Sequence, residues 1–246
     1  MLPSLSITRL LAQSPAEPFE RPSDLILGGI FLGSLLLVEP LEGFDEHTSR
    51  QFSKDISERN TALRRTARAL GTTAVDVALT GATYLLGKAT GDSKLQRVGL
   101  RTLESVLETV AVTKVFKIAV GRARPEVSGH SDVFRPLTFD SEYHSFPSGH
   151  ASNVFALATT LTLELGDDAK WIPFVAYPIA TVTAVSRVQD RRHWVTDVVA
   201  GAALGIFTSS VLWRPPHSPS DASGVSFRIF TPTDEFVGLG LTIPLR

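Results

Sequence analysis

The chain has 246 residues, enough for one large domain or two small ones. Its 24 Lys+Arg against 25 Asp+Glu leave a formal net charge of -1, so no global field points to nucleic acid and any basic patch must be local. The lack of cysteine excludes disulfides, thiolate metal sites and cysteine nucleophiles, without identifying a compartment.

In chain order, residues 1–16 (MLPSLSITRLLAQSPA) read as a disordered leader or as the tail of a signal peptide beginning upstream. Pro15, Pro18 and Pro22 punctuate the approach to a glycine-dotted helix over Leu25–Val38, which Pro40 ends. Phe44 to Arg68 is polar with sparse apolar positions and is expected to form an amphipathic helix on the surface. Ala69–Lys88 reads as a second apolar helix, closed by Gly87 and the Gly91-Asp92 turn. Its Asp76 is expected to be a satisfied buried polar group or to line a wet crevice.

Leu95–Val120 places Leu95, Val98, Leu103, Val106, Leu107, Val110, Val115 and Ile118 near a 3.6-residue period, predicting a long helix that Gly121 stops. Glu126–Phe146 is a loop of about 20 residues without helical signal, a length usually tied to function or disorder. Helices follow over Pro147–Leu165, with Pro147 at the first position, then Trp171–Val185 and Val195–Trp213. After Pro215-Pro216, Val225–Phe230 and Phe236–Ile243 alternate apolar and polar residues, as a short hairpin or extended tail would. The expected architecture is all-α: a leader over 1–23, one helical domain over 24–214 and an extended tail over 215–246.

A mean hydropathy of +0.12 is low for a polytopic membrane protein. Leu25–Val38 spans about 21 Å as a helix against a hydrocarbon core of roughly 30 Å, and only Val195–Trp213 approaches spanning length.

Three segments of the second half carry chemistry. Lys117 and Arg124 are seven residues apart, nearly two helical turns, so both project to one side unless Gly121 and Pro125 fray the helix and leave Arg124 on the loop. Alone, with Lys114 and Arg122, they read as a solvated basic face. Pro147-Ser148-Gly149-His150 opens a helix, where free N–H groups and the dipole favour an anion. Gly149 permits close approach of the backbone, the Ser148 hydroxyl donates a further bond, and His150 can protonate a departing oxygen. Arg187 ends one helix, and the polar insert Gln189–Arg192 is expected to fold it back towards His193. His193 and Asp197, at i and i+4, share a face, so the carboxylate can fix the ring tautomer while the other nitrogen attacks. In isolation such a pair is a common surface contact.

Read together, K-x6-R-P, P-S-G-H and S-R-x5-H-x3-D resemble the signature of the type 2 phosphatidic acid phosphatase superfamily. That superfamily includes membrane lipid phosphatases, soluble bacterial acid phosphatases and vanadium-dependent haloperoxidases. The resemblance covers about Leu95–Leu212 and implies a bundle of about six core helices and a metal-independent phosphatase. By motif position it implies His193 as nucleophile forming a phosphohistidine, Asp197 as its orienting partner and His150 as general acid, then base. Lys117, Arg124, Ser148, Gly149 and Arg187 would hold the phosphate. No cofactor or metal is expected, and vanadate is expected to act as a phosphate mimic and inhibitor.

The leading expectation is hydrolysis of a phosphomonoester or pyrophosphate, as a lipid phosphate such as phosphatidate, at the inner membrane of a bacterial envelope with the site facing the periplasm. Two alternatives keep the fold: a soluble periplasmic acid phosphatase of broad specificity, and a vanadium-dependent haloperoxidase. His193 neutral and His150 protonated would give a bell-shaped pH–rate profile. His130 and His144 are expected as exposed loop histidines, and Arg191 and Arg192 as a solvated pair. Phe134, Phe139, Tyr143 and Phe146 either line an apolar substrate wall or pack the loop down.

Overall fold

The computed structural model describes residues 28–29, 31–33, 36, 40–54, 66–166, 168–212, 226–233 and 236–242. The leader and most of the expected first helix lie outside them. Among the described residues six helices form the body: α1 (Glu42–Lys54), α2 (Thr73–Thr90), α3 (Ser93–Val120), α4 (Gly149–Leu165), α5 (Ile172–Gln189) and α6 (Val195–Leu212). The expected tail is a two-stranded antiparallel hairpin of β1 (Ser226–Thr233) and β2 (Phe236–Thr242), with Phe227 opposite Leu241 and Ile229 opposite Leu239. The expectation of an all-α bundle with a hairpin-like tail is met.

Local chemistry sets the ends of the helices. Gly91, with φ 72, closes α2, and the Asp92 carboxylate caps α3 by accepting from the Lys94 and Leu95 amides. Gly87 lies inside α2 and does not close it. The fourth helix starts at Gly149 with Ser148 as its cap, so Pro147 stands outside it, after a cis Phe146–Pro147 bond. The fifth extends through Arg187 to Gln189, past the expected end, although Pro178 lies within it.

Helix α4 is central, packing against α3, α5 and α6. It approaches α6 at backbone distance: a Cβ at Gly201 would fall 2.4 Å from the Ser148 carbonyl oxygen, and one at Gly205 2.2 Å from that of Ser152. Phe146, Ala200, Ala203 and Leu204 close one apolar cluster here. Ala151, Ala184, Val188 and Val198 close a second.

The long helix α3 departs from its aliphatic stripe. Its buried face is Val98, Gly99, Thr102, Ser105, Val106, Thr109 and Thr113, while Val115 is 66% exposed. Hydroxyl pairs join it to its neighbours: Ser105 to Ser209 and Thr109 to Thr208, each at 2.7 Å, and Thr113 to Ser152 at 2.9 Å. The surface helix expected over Phe44 to Arg68 is also corrected. Its Asp45 and Ser49 are buried, and residues 55–65 lie outside the described chain.

Candidate active site

Helix α3 delivers Lys117 in its last turn and then stops at Gly121. That glycine has φ 61, and a Cβ on it would fall 1.8 Å from the Arg135 carbonyl oxygen, so no other residue fits without moving the loop. From Gly121 the chain runs extended and is bonded to the loop that follows. The Ala123 amide donates to the Val133 carbonyl at 2.9 Å, Arg135 to Gly121 at 2.7 Å and Ser145 to Arg122 at 3.0 Å. The loop over Glu126–Phe146 is thus ordered by its own backbone bonds and by a short 3-10 turn at Ser141–Tyr143. Arg124 stands on this extended run, its Nε donating to the Ser141 carbonyl at 3.0 Å. Lys117 Nζ donates to the His144 carbonyl at 2.6 Å.

At the start of α4 the Ser148 hydroxyl accepts from the Ala151 amide at 3.5 Å, and the Ser148 amide donates to the Asp197 carbonyl at 2.9 Å. A Cβ at Gly149 would sit 3.6 Å from Lys117 Cε, so this bare backbone faces the lysine directly. His150 follows in the first turn.

Between α5 and α6 the chain turns through Asp190, Arg191 (φ 56) and Arg192, whose amide donates back to the Arg187 carbonyl at 3.1 Å. This is the reversal expected of the polar insert. Arg187 is largely buried; its Nη1 meets Asp190 Oδ2 at 3.1 Å, and its Nε is buried without a hydrogen-bond partner. The other Asp190 oxygen takes Arg68 Nη2 at 2.9 Å.

His193 is 3% exposed, and its ring departs from the expected pairing. Nδ1 lies 2.7 Å from the Ser145 carbonyl and 3.7 Å from Asp197 Oδ2, too long for a hydrogen bond to the carboxylate. Asp197 instead accepts from the Ser145 hydroxyl, from the Trp194 amide at 2.8 Å and from Arg122 Nη1 at 2.7 Å. It acts on His193 through space and through Ser145.

A cavity of about 450 Å³ opens over these groups, lined by Arg68, Thr72, Arg124, Glu126, His150, Arg187, Asp190 and Arg192. Electrostatics follow from the crowding of cations. Burial, then the charges of Arg187, Lys117 and Arg124, lowers His150 to about 4. Burial, with Lys117 and Arg124 adding to it against Asp197, lowers His193 to about 3. Lys117 is itself lowered to about 7 by burial and by Arg124. Burial alone would raise the Asp197 carboxyl, but Arg122 and His193 hold it well below the usual carboxylate range. The free site therefore holds both imidazoles neutral at pH 7, so a general-acid His150 has to gain its proton with the substrate.

The structure thus brings Arg124, His150 and Arg187 to one cavity, with Lys117 and His193 close enough to share their electrostatics. Of the other singled-out residues, Arg192 lines the cavity and the rest lie elsewhere. His130 is exposed, 3.2 Å from Glu46, whereas His144 is buried, its Nε2 3.0 Å from the Thr138 carbonyl. Phe146 joins the core, Phe134 lies over Arg122 at 5.9 Å, Tyr143 stacks on Arg135 at 4.5 Å and Phe139 is exposed. None lines the cavity. Arg191 and Arg192 are not a free pair: Arg191 donates to the Pro125 carbonyl at 2.9 Å, and Arg192 pairs with Glu126. Arg122, expected on a solvated face, is fully buried. Sequence reading missed Arg68, Glu126 and Asp190 at the mouth. Asp190 carried a signal, standing three residues after Arg187 at a helix end, whereas Arg68 carried none.

Residues 99–218 match the model of the PAP2 superfamily, which bears out the resemblance read from the motifs. A lipid A 1-phosphatase of Porphyromonas gingivalis is 32% identical over 46% of this chain and 23% of its own length. A phosphatidylglycerophosphatase B of Bacillus subtilis is 33% identical over 39% of this chain and 46% of its own length. A probable diacylglycerol pyrophosphate phosphatase of Schizosaccharomyces pombe is 29% identical over 56% of this chain and 60% of its own length. The chain spans less than two thirds of the length of each of these proteins. The crystal structure of a transmembrane PAP2 type phosphatidylglycerolphosphate phosphatase from Bacillus subtilis superposes with TM-score 0.57 at 26% identity, covering 75% of this chain and 92% of that one.

Proposed function

We propose, on the footing that residues 99–218 of this chain belong to the PAP2 superfamily, that the protein is a phosphatase hydrolysing lipid phosphates, as monoesters or pyrophosphates, through a phosphohistidine. The observation that carries this reading is the His193 ring. Its Nδ1 faces a carbonyl at 2.7 Å and must be the protonated nitrogen, which leaves the Nε2 lone pair free. Burial and two nearby cations keep that ring neutral and nucleophilic.

In the reaction the Nε2 lone pair forms a P–N bond, and the electrons of the P–O bond leave with the alcohol oxygen, which takes a proton from His150. Water then attacks phosphorus, His150 recovers a proton from it, and the P–N electrons return to Nε2. Lys117, Arg124 and Arg187, with the α4 amides, hold the equatorial oxygens, where charge grows in the transition state. His150 is neutral in the free site because cations surround it. A bound phosphate dianion offsets those charges and raises the ring into the range where it can donate.

The lipid part of the reading rests on three observations. The relatives matched are phosphatases whose names specify lipid phosphates. On α3, hydroxyls face inward and Val115 outward. Trp171, just before α5, and Phe174, Val175, Ile179 and Val182 on it form an exposed apolar stripe at helical spacing, as a face against lipid would. Among the described residues no helix is long and apolar enough to cross a membrane.

The test is turnover of phosphatidate in mixed micelles and of p-nitrophenyl phosphate, both in a divalent-metal chelator. Wild type should release phosphate, and His193→Ala should lose more than about 1,000-fold. Alkaline quenching of a labelled reaction should trap protein-bound phosphate on wild type but not on the variant. A strict metal requirement, or full activity in His193→Ala, would sink the reading.

A further inference from the structure

We infer that Asp45 and Arg122 are positioning residues for the nucleophile: α1, which lies outside the matched stretch 99–218, reaches through Arg122 to fix Asp197 and so His193. This rests on the phosphatase reading for its catalytic meaning, but not for its geometry. Arg122, Asp45 and Asp197 are each 0% exposed. The guanidinium makes four hydrogen bonds: Nε to the Ser131 carbonyl at 2.7 Å, Nη1 to Thr196 Oγ1 and Asp197 Oδ1 at 2.7 Å each, and Nη2 to Asp45 Oδ2 at 2.9 Å. Its faces lie 5.6 Å from the Trp194 ring and 5.9 Å from that of Phe134. Asp45 closes the circuit by accepting from the Thr196 amide at 3.0 Å and from the Thr196 hydroxyl.

Such a clasp is poorly explained as a device for stability. A fully buried ion pair loses most of its attraction to desolvation, and apolar replacements are often as stable. What it does accomplish is orientation. With Asp197 Oδ1 held by Arg122, Oδ2 is turned to the Ser145 hydroxyl and the Trp194 amide, and Ser145 presents its carbonyl to His193 Nδ1 at 2.7 Å. The chain of contacts runs Asp45, Arg122, Asp197, Ser145, His193, with every member buried. The charged groups bearing on His193 are Lys117 from α3, Arg124 from the extended run and Asp197 from α6. Arg122 and Asp45 stand behind Asp197 and decide how its oxygens point.

The experiment compares Asp45→Asn, Asp45→Glu and Thr196→Val with wild type. It reads nitrogen NMR of the free protein for the His193 tautomer and steady-state kinetics on p-nitrophenyl phosphate. Asp45→Asn should lower kcat by about 100-fold with KM within about 3-fold, and should mix the single Nδ1–H tautomer with the Nε2–H form. Asp45→Glu should recover part of both. Should Asp45→Asn not fold, Thr196→Val decides, because it keeps all three charges and removes only the bridging hydroxyl. A fall in kcat of about 5- to 10-fold with the same spectral change is expected there. An unchanged kcat and an unchanged His193 spectrum in a folded variant would overturn the proposal. The spectrum is recorded without substrate, so an inactive wild type would defeat the phosphatase reading while leaving the clasp to be judged on the ring.

Discussion

At the scale of single residues, Lys117 is the group whose charge is most easily moved. Burial and Arg124 hold it near about 7, so it is cationic below that pH and loses its charge as pH rises through it. Both imidazoles of the free site are already neutral above about 4. Loss of the Lys117 charge should therefore add a step near pH 7 to the alkaline fall in kcat/KM, beyond the proton that His150 must gain before it can donate. Lys117→Arg should move that step upward by more than about 2 pH units, because a guanidinium stays charged when buried. A step unmoved by the substitution would leave the whole fall to His150. The greater length and bulk of a planar fork against the His144 carbonyl should cost some kcat, which a pH profile separates from the shift.

At the scale of elements, α2 contains a conflict between sequence and surroundings. Asp76 is 1% exposed, and burial raises its pKa to about 6 against the Gly71 amide and Asn153, which lower it. Its unfolded value is near about 3.9, so the folded state binds the proton more tightly. Stability from this group is present at low pH, is lost as pH rises from about 4 through about 6, and stays lost at neutrality. Asp76→Asn should raise stability at pH 7 by roughly 2 kcal/mol and leave it unchanged near pH 4, measured by urea unfolding at both values. Equal effects at the two pH values would mean that the carboxylate is not the cause. Sequence shows that Asp76 interrupts an apolar run but not which donors face it or how closely.

The same limit explains which elements were legible. Apolar runs and their caps located α2, α3, α4 and α6 to within a few residues, and three motif segments located the cations and histidines. The inward face of α3 was not legible, because Ser105, Thr109 and Thr113 are buried by pairing with hydroxyls on other helices, and Thr102 by donating back to the Val98 carbonyl. Such pairing is a tertiary fact that no single-helix period reports. Arg122 was read as part of a solvated face for the same reason: it is tolerable inside because Asp45 and Asp197 meet it there. The end of α5 was placed too early because the apolar run stops at Val185, whereas the helix continues through buried Ser186, Arg187 and Val188.

At the scale of the whole molecule, the apolar surface and the polar cavity divide the work. Phe174 is 79% exposed and Ile179 48%, on a helix whose other end carries Arg187 into the site. Substituting both by Asp should reduce co-sedimentation with phospholipid vesicles several-fold while turnover of p-nitrophenyl phosphate stays within about 2-fold. Unchanged vesicle binding would leave the outward stripe without a role in lipid contact. The cavity itself has its cations already answered: Asp190 bridges Arg68 and Arg187, and Glu126 holds Arg192. The protein thus carries its own competitors for the phosphate subsite. On the proposed phosphatase reading an arriving substrate would displace them, and after hydrolysis they would return to expel the inorganic phosphate, so a strongly cationic pocket need not become a trap for its own product.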